Sequence, residues 1–245
     1  MMKFTSASVC EAGGRGVNQD FHGSLYFDAG ACWVLADGLG GHRGGEIASQ
    51  TAVEKILESY RERQYFSPES IRQYLNAAQE SILNIQEENP EFCSIQSTVV
   101  LLLTDCHSAL WGHVGDSRLY FFRAGSIISQ TKDHSVSQAM VAAGEILPKD
   151  IRNHEDRSRL LRSLGKKGEV QATIIEQKQA VQPGDAFLLC SDGFWEYVTE
   201  TEMEVDYASV NCPEDWLRRM EQKILKRARG EFDNYCAIAV FVEAE

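Results

Sequence analysis

One pattern recurs along this chain of 245 residues: an apolar run that hands over an aspartate flanked by small or amide residues. Cys32 to Ala36 leads into Asp37-Gly38-Leu39-Gly40-Gly41-His42-Arg43-Gly44-Gly45, where five of the eight residues after Asp37 are glycine. Phe187 to Cys190 leads into Ser191-Asp192-Gly193, and Leu110 to Val114 into Gly115-Asp116-Ser117-Arg118. Asp233-Asn234 stands just before Cys236 to Val242, and Asp20 closes the glycine-rich loop Gly13-Gly14-Arg15-Gly16-Val17-Asn18-Gln19-Asp20. The apolar runs read as buried strands, so five aspartates are expected at strand–loop junctions. Asp37-Gly38 alone also reads as a two-residue hairpin loop. Each aspartate taken singly reads as a turn former or helix cap. Together they pose an electrostatic question.

Clustered carboxylates cannot all stay ionised without a cation between them. An all-oxygen ligand set favours hard ions, Mg²⁺ or Mn²⁺ over zinc. Two such ions about 3.5–4 Å apart can share a water, lower its pKa and make it a nucleophile at neutral pH. They also reverse the local potential. That matters here, because Lys plus Arg is 24 against 36 for Asp plus Glu, a net charge of −12. Such a surface argues against nucleic acid or an anionic membrane as partner.

The rest of the chain supplies the frame. Phe4 to Glu11, Ser24 to Asp28 and Cys32 to Ala36 read as strands, the last two joined by a turn at Asp28-Ala29-Gly30. Gly45 to Arg63 carries apolar residues at spacings of three and four, and a second helix opens with Ser67 as N-cap and Pro68 at its first position. The short link between them predicts an antiparallel pair. Strands follow at Thr98 to Thr104, Ala109 to Val114, Leu119 to Arg123 and Ser126 to Ser129, then a short helix from Ser135 to Ala143. Residues 144 to 170 are polar and read as a surface excursion. Val170 to Ala180 and Asp185 to Cys190 read as strands, Pro213 to Arg229 as a third long helix and Cys236 to Val242 as the last strand. Strands without regular βαβ alternation predict an α+β fold, a central antiparallel β-sandwich flanked by pairs of antiparallel helices. A single domain over 1–245 is expected, with a flap-like segment at about 144–170.

No run reaches the roughly 20 apolar residues of a membrane span, and Met1-Met2-Lys3-Phe4-Thr5-Ser6 lacks a signal-peptide core. A cytoplasmic location is therefore expected. The seven cysteines include no C-x-x-C pair, and most lie in apolar runs. They read as buried thiols rather than disulfides or zinc ligands.

Seven stretches together carry a resemblance. They are Asn18-Gln19-Asp20 after Arg15, Asp37-Gly38-Leu39-Gly40-Gly41-His42, Gly115-Asp116-Ser117-Arg118, Asp133-His134-Ser135, Arg162-Ser163-Leu164-Gly165, Ser191-Asp192-Gly193 and Asp233-Asn234. In this order they resemble the metal-dependent protein serine/threonine phosphatases of type 2C, in a compact bacterial form, from about residue 4 to 243. The resemblance implies a binuclear Mn²⁺ or Mg²⁺ centre at one end of the sandwich. Asp37 would bridge the ions, the Gly38 carbonyl would bind one, Asp192 and Asp233 would hold the second, and Asp20 would hold a metal-bound water. Asp116 with Asp192 would match a third site, and Arg15 the arginine that binds substrate phosphate through its planar fork. The catalytic residues are thus expected to be Asp37, Asp192 and Arg15. Gln19 stands where many relatives have Glu, and Leu39 where eukaryotic relatives have the suspected acid His. Protonation of the leaving group then falls to His42, to a metal-bound water or to no group; His42 also reads as a loop-stabilising residue.

Other chemistries fit less well. Cys212 and Arg218 have C-x₅-R spacing, but the residues between them are acidic and helical, without the amides that cradle phosphate. No P-loop is present. His107, His113, His134 and His154 show no metal-ligand spacing; His134 reads as a structural residue that orients the following loop, and Arg162 as a partner in a structural ion pair. Phe121, Phe122, Trp195 and Trp216 read as core or rim. The expected activity is hydrolysis of phosphoserine and phosphothreonine on proteins, with a water bridging two metals as the nucleophile. Its expected partners are phosphorylated proteins made by a Ser/Thr kinase, and its expected state a monomer. The rival reading is a non-catalytic phosphopeptide or metal sensor on the same fold.

Overall fold

The computed structural model describes residues 2–40 and 44–244. In chain order its elements begin with β1 (Met2–Glu11), β2 (Asp20–Phe27), β3 (Gly30–Leu39), α1 (Gly45–Arg63) and α2 (Pro68–Glu88). Next come β4 (Gln96–Ser97), β5 (Val99–Thr104), β6 (Ser108–Val114), β7 (Arg118–Arg123), β8 (Ser126–Gln130) and α3 (Val136–Ala143). The C-terminal part holds β9 (Thr173–Ile174), β10 (Gln179–Ala180), β11 (Ala186–Cys190), α4 (Asp192–Trp195), α5 (Glu200–Tyr207), α6 (Pro213–Arg227) and β12 (Tyr235–Ala244).

The strands form two antiparallel sheets. One runs β1-β12-β11-β7-β8; the other runs β10-β6-β5-β3-β2, with β4 paired to β3 and β9 to β6. Side chains alternate across each central strand, and both faces are covered, which is why these strands carry long apolar runs. Cys32, Val34 and Ala36 of β3 pack under α1 and α2, while Trp33 and Leu35 face the other sheet. On the far side, Leu188 and Cys190 of β11 pack with α5 and α6, while Phe187 and Leu189 face inward. The result is helices, sheet, sheet, helices, with three apolar interfaces.

Local chemistry fixes the helix ends. Ser67 accepts from the Ser70 amide and Ser70 Oγ accepts from the Ser67 amide, so the two close a reciprocal cap at the start of α2. Gly144 ends α3 in the left-handed conformation, φ 78°. The hairpin between β7 and β8 turns at Ala124 and Gly125, both at positive φ.

Four expectations need correction. The β3 strand does not stop before Asp37; it runs on to Leu39, exchanging β5 for β4 as neighbour at Gly38. Asp37 is therefore held within a paired strand, not at a strand–loop junction. The strand expected from Val170 to Ala180 exists only as two short pieces, β9 and β10, both on β6. Helices α4 and α5 were not expected. Only Met203 and Asp206 of α5 are buried, too few to make a stripe, although Thr199 and Glu202 form a capping box that marks its start. The polar segment 144–170 is not wholly superficial. Ile151 and Leu164 are buried, and Gly165 is tied to α2 by Gln79 and Gln86.

Candidate metal centre

Asp20 and Asp37 are register partners, directly opposite across the β2–β3 ladder. Like charges so placed destabilise a sheet. Asp116 enters from the turn between β6 and β7, Asp192 from the first position of α4, and Asp233 from the loop before β12. The five carboxylates converge. Burial, then Asp20, Asp192, Asp116 and Asp233, all push the Asp37 carboxyl upward. Burial raises Asp20 to about 8, partly offset by its hydrogen bond from Ser191. Burial and the neighbouring Glu196 and Asp233 raise Asp192 to about 7. Asp116 is likewise pushed well up, by burial and then by Asp192.

A cleft of about 600 Å³ opens over the cluster. Its lining includes Asp37, Gly38, Asp116, Asp192 and Asp233, with Arg15 as the basic residue among the described lining residues. Arg15 is exposed and reaches Asp233 at 3.3 Å. Leu39 also lines the cleft. Ser158 and Leu160, from the 144–170 segment, complete one wall.

Neutral groups hold the acids in place. Ser191 Oγ donates to Asp20 Oδ2 at 2.6 Å and accepts from the Cys236 amide at 2.9 Å. It thereby links β2 of one sheet to β12 of the other. Asn234 accepts from the Gln19 amide at 2.8 Å and donates to the carbonyls of Ala12 and Val17, fixing the loop that carries Arg15. The Gln19 side chain donates to Glu46 of α1 at 3.4 Å. Thr98 Oγ1 accepts from the Asp37 amide, and the Thr98 amide donates to the Asp37 carbonyl. Two glycines are obligatory for close approach. A Cβ on Gly38 would lie 1.9 Å from the Gly45 carbonyl oxygen, and one on Gly193 would lie 2.0 Å from that of Asn234.

Beneath Asp116 lies a second polar layer. The Trp195 indole donates to the Asp116 carbonyl at 3.0 Å. The Arg118 guanidinium lies 3.5 Å over the Trp195 ring and makes a two-pronged pair with Asp133 at 2.8 and 2.7 Å. Asp133 is thus a partner of Arg118. His134 accepts from the Gly115 amide through Nδ1, stacks on His113, and is held down to about 3 by burial and by the neighbouring His113 and Arg162. Arg162, expected in an ion pair, instead donates to the Gln171 carbonyl and lies 3.3 Å from His134 Nε2. No carboxylate pairs with it among the described residues. Arg157, from the 144–170 segment, pairs with Glu196 beside Asp192. His42 lies outside the described residues. The sequence reading missed Ser191 Oγ, Thr98 and Asn234 as supports, since a neutral hydroxyl or amide carries no signal until its partner is known.

A set of oxygen donors with too much negative charge and raised pKa values fits hard divalent cations. The comparisons agree with that chemistry. The family described as Protein phosphatase 2C matches residues 13–229. The serine/threonine phosphatase stp of Listeria welshimeri is 33% identical over 177 residues, 70% of this chain and 69% of that protein. The crystal structure of serine/threonine phosphatase Stp1 from Staphylococcus aureus superposes with a TM-score of 0.89 at 26% identity, covering 99% of this chain and 96% of the other. The catalytic domain of serine threonine protein phosphatase PstP, solved in complex with 2 manganese ions, gives a TM-score of 0.83 at 25% identity, with 100% of both chains covered. With the family matched over most of its length and the carboxylates gathered at one cleft, this chain belongs to the protein phosphatase 2C family of serine/threonine phosphatases.

Proposed function

We propose that this protein removes phosphate from phosphoserine and phosphothreonine in proteins, at the cleft lined by Asp37, Asp192 and Asp233. The observation that carries the reading is the convergence of four carboxylates, Asp37, Asp116, Asp192 and Asp233, on one cleft that also holds Arg15, with Asp20 beside Asp37. Asp37, the Gly38 carbonyl, Asp192 and Asp233 would together hold two divalent cations. Asp116 with Asp192 would hold a third. When bound, such ions neutralise the clustered acids and acidify water enough for it to attack phosphorus at neutral pH.

The chain's own residues do the rest. Asp20, fixed by Ser191, orients the attacking water through its carboxylate. Arg15 releases Asp233 and closes its planar fork on the phosphate oxygens. Leu39 has no proton to give, so the leaving oxygen finds no acid at that position. Ser158 and Leu160 bring the 144–170 segment to the cleft wall, where it would act as a flap that selects the docking protein. On this reading the protein works as a cytoplasmic monomer opposite a Ser/Thr kinase. The long, apolar type of helix that crosses a membrane is absent among the described residues.

Release of nitrophenol from p-nitrophenyl phosphate and of phosphate from a phosphothreonine peptide tests the proposal. Activity should need Mn²⁺, stop with EDTA, and fall at least about 100-fold in Asp37→Asn, since even loss of an outer partner costs about 10–100-fold. A correctly folded protein with no Mn²⁺-dependent release would be a sensor, and the proposal would fail.

A further inference from the structure

Below the acidic cleft, between the edges of the two sheets, lies a second cluster of a different chemical kind. Cys10 and Cys236 are register partners in the β1–β12 ladder. His22 of β2 faces them from the other sheet, and one ligand atom from each of the three lies within 4.8 Å of the others. Both β1 and β2 end their strand orders, and β12 lies next to β1. Cys236 is buried and the other two are half-buried. All seven cysteines are free thiols. Around Cys10, the Asn18 side-chain amide lies 3.6 Å from Sγ, and Sγ lies 3.7 Å from the Asp20 carbonyl oxygen.

We propose that Cys10, His22 and Cys236 form a binding site for a soft divalent cation of the zinc class, separate from the carboxylate centre. Two thiolates and a neutral imidazole match zinc, while Mg²⁺ and Mn²⁺ prefer the oxygen donors above. Tetrahedral zinc with S and N ligands spaces its donor atoms about 3.3–3.8 Å apart, so small side-chain shifts close the site. Each thiol gives its proton to solvent as its S–metal bond forms. The product of a divalent cation with two thiolates is neutral, and a neutral complex is the form a half-buried site beside five acids tolerates best. The ion would join β1 and β12 of one sheet to β2 of the other. It would therefore clamp together the strands next to Asp20 and Asp233. The inference does not depend on the phosphatase reading, because its ligands are two thiols and an imidazole and its readout is a thiolate absorption band.

Co²⁺ serves as a spectroscopic probe on reduced, full-length protein whose oxygen centre is first saturated with Mg²⁺. Added Co²⁺ should develop thiolate-to-cobalt charge-transfer absorption, and Zn²⁺ should abolish it by displacement. Cys10→Ser should remove the band, whereas Asp37→Asn should keep it. His22→Gln, which leaves both thiols in place, should weaken Co²⁺ binding at least about tenfold. Absence of the band in the native sequence, its survival in Cys10→Ser, or unchanged affinity in His22→Gln would each overturn the site.

Discussion

The charged groups that push Asp37 upward are other carboxylates, Asp20, Asp192, Asp116 and Asp233. That makes metal-free protein behave against the usual acid-denaturation trend. Asp20 is raised to about 8 and Asp192 to about 7, whereas an unfolded aspartate titrates near 4. Between these limits the folded state binds more protons than the unfolded state, so its stability falls as pH rises. Thermal melts in EDTA should show the melting temperature dropping from about pH 5 to pH 8, and saturating Mn²⁺ should flatten the slope. A melting temperature in EDTA that climbs over this range would mean that the carboxylates do not repel one another as described. Ser191 gives a second residue-scale test. Ser191→Ala removes the hydrogen bond to Asp20 and leaves the acids present. Manganese affinity or activity should fall about 10–100-fold, read from the Mn²⁺ dependence of phosphate release. No change would show that Asp20 needs no anchor.

At the scale of elements, the turn between β6 and β7 is held by a buried ion pair. The side chains of Arg118 and Asp133 are 5% and 2% exposed. Removing Asp133 leaves the buried Arg118 charge only the more exposed Glu200 carboxylate, at 3.6 Å among the described residues, and losing a partner from a buried pair costs about 3–5 kcal/mol. Asp133→Asn should therefore lower unfolding free energy by about that amount in urea titrations, with a secondary loss of activity because Trp195 and Asp116 share the layer. A loss under about 1 kcal/mol would place the pair in a wetter setting than its burial implies. Elements with one strong periodic face were readable in advance: α1 from Gly45 to Arg63 and α2 from its Ser67 cap agree with the sequence reading to the residue. The weak elements were not. Strands β4, β9 and β10 have two residues each and exist only because a longer strand offers a free edge. Helix α5 buries too little for its period to show.

Across the whole molecule, the sandwich was legible because strands covered on both faces carry unbroken apolar runs, Cys32 to Ala36 in β3, Val99 to Leu103 in β5 and Ala186 to Cys190 in β11. The acidic residues of the site were legible for the opposite reason, as charges placed where apolar runs end. What the sequence could not display is adjacency between distant positions. Cys10 and Cys236 are direct neighbours across a ladder, yet no spacing rule links them. Ser191 meets Asp20 across 171 positions of chain. The central claim is itself one of adjacency, and a manganese-soaked crystal measures it directly through the anomalous scattering of the metal. The account predicts two strong peaks in the cleft, between Asp37, Asp192 and Asp233. Peaks confined to other parts of the molecule, or none in a crystal of active enzyme, would contradict it.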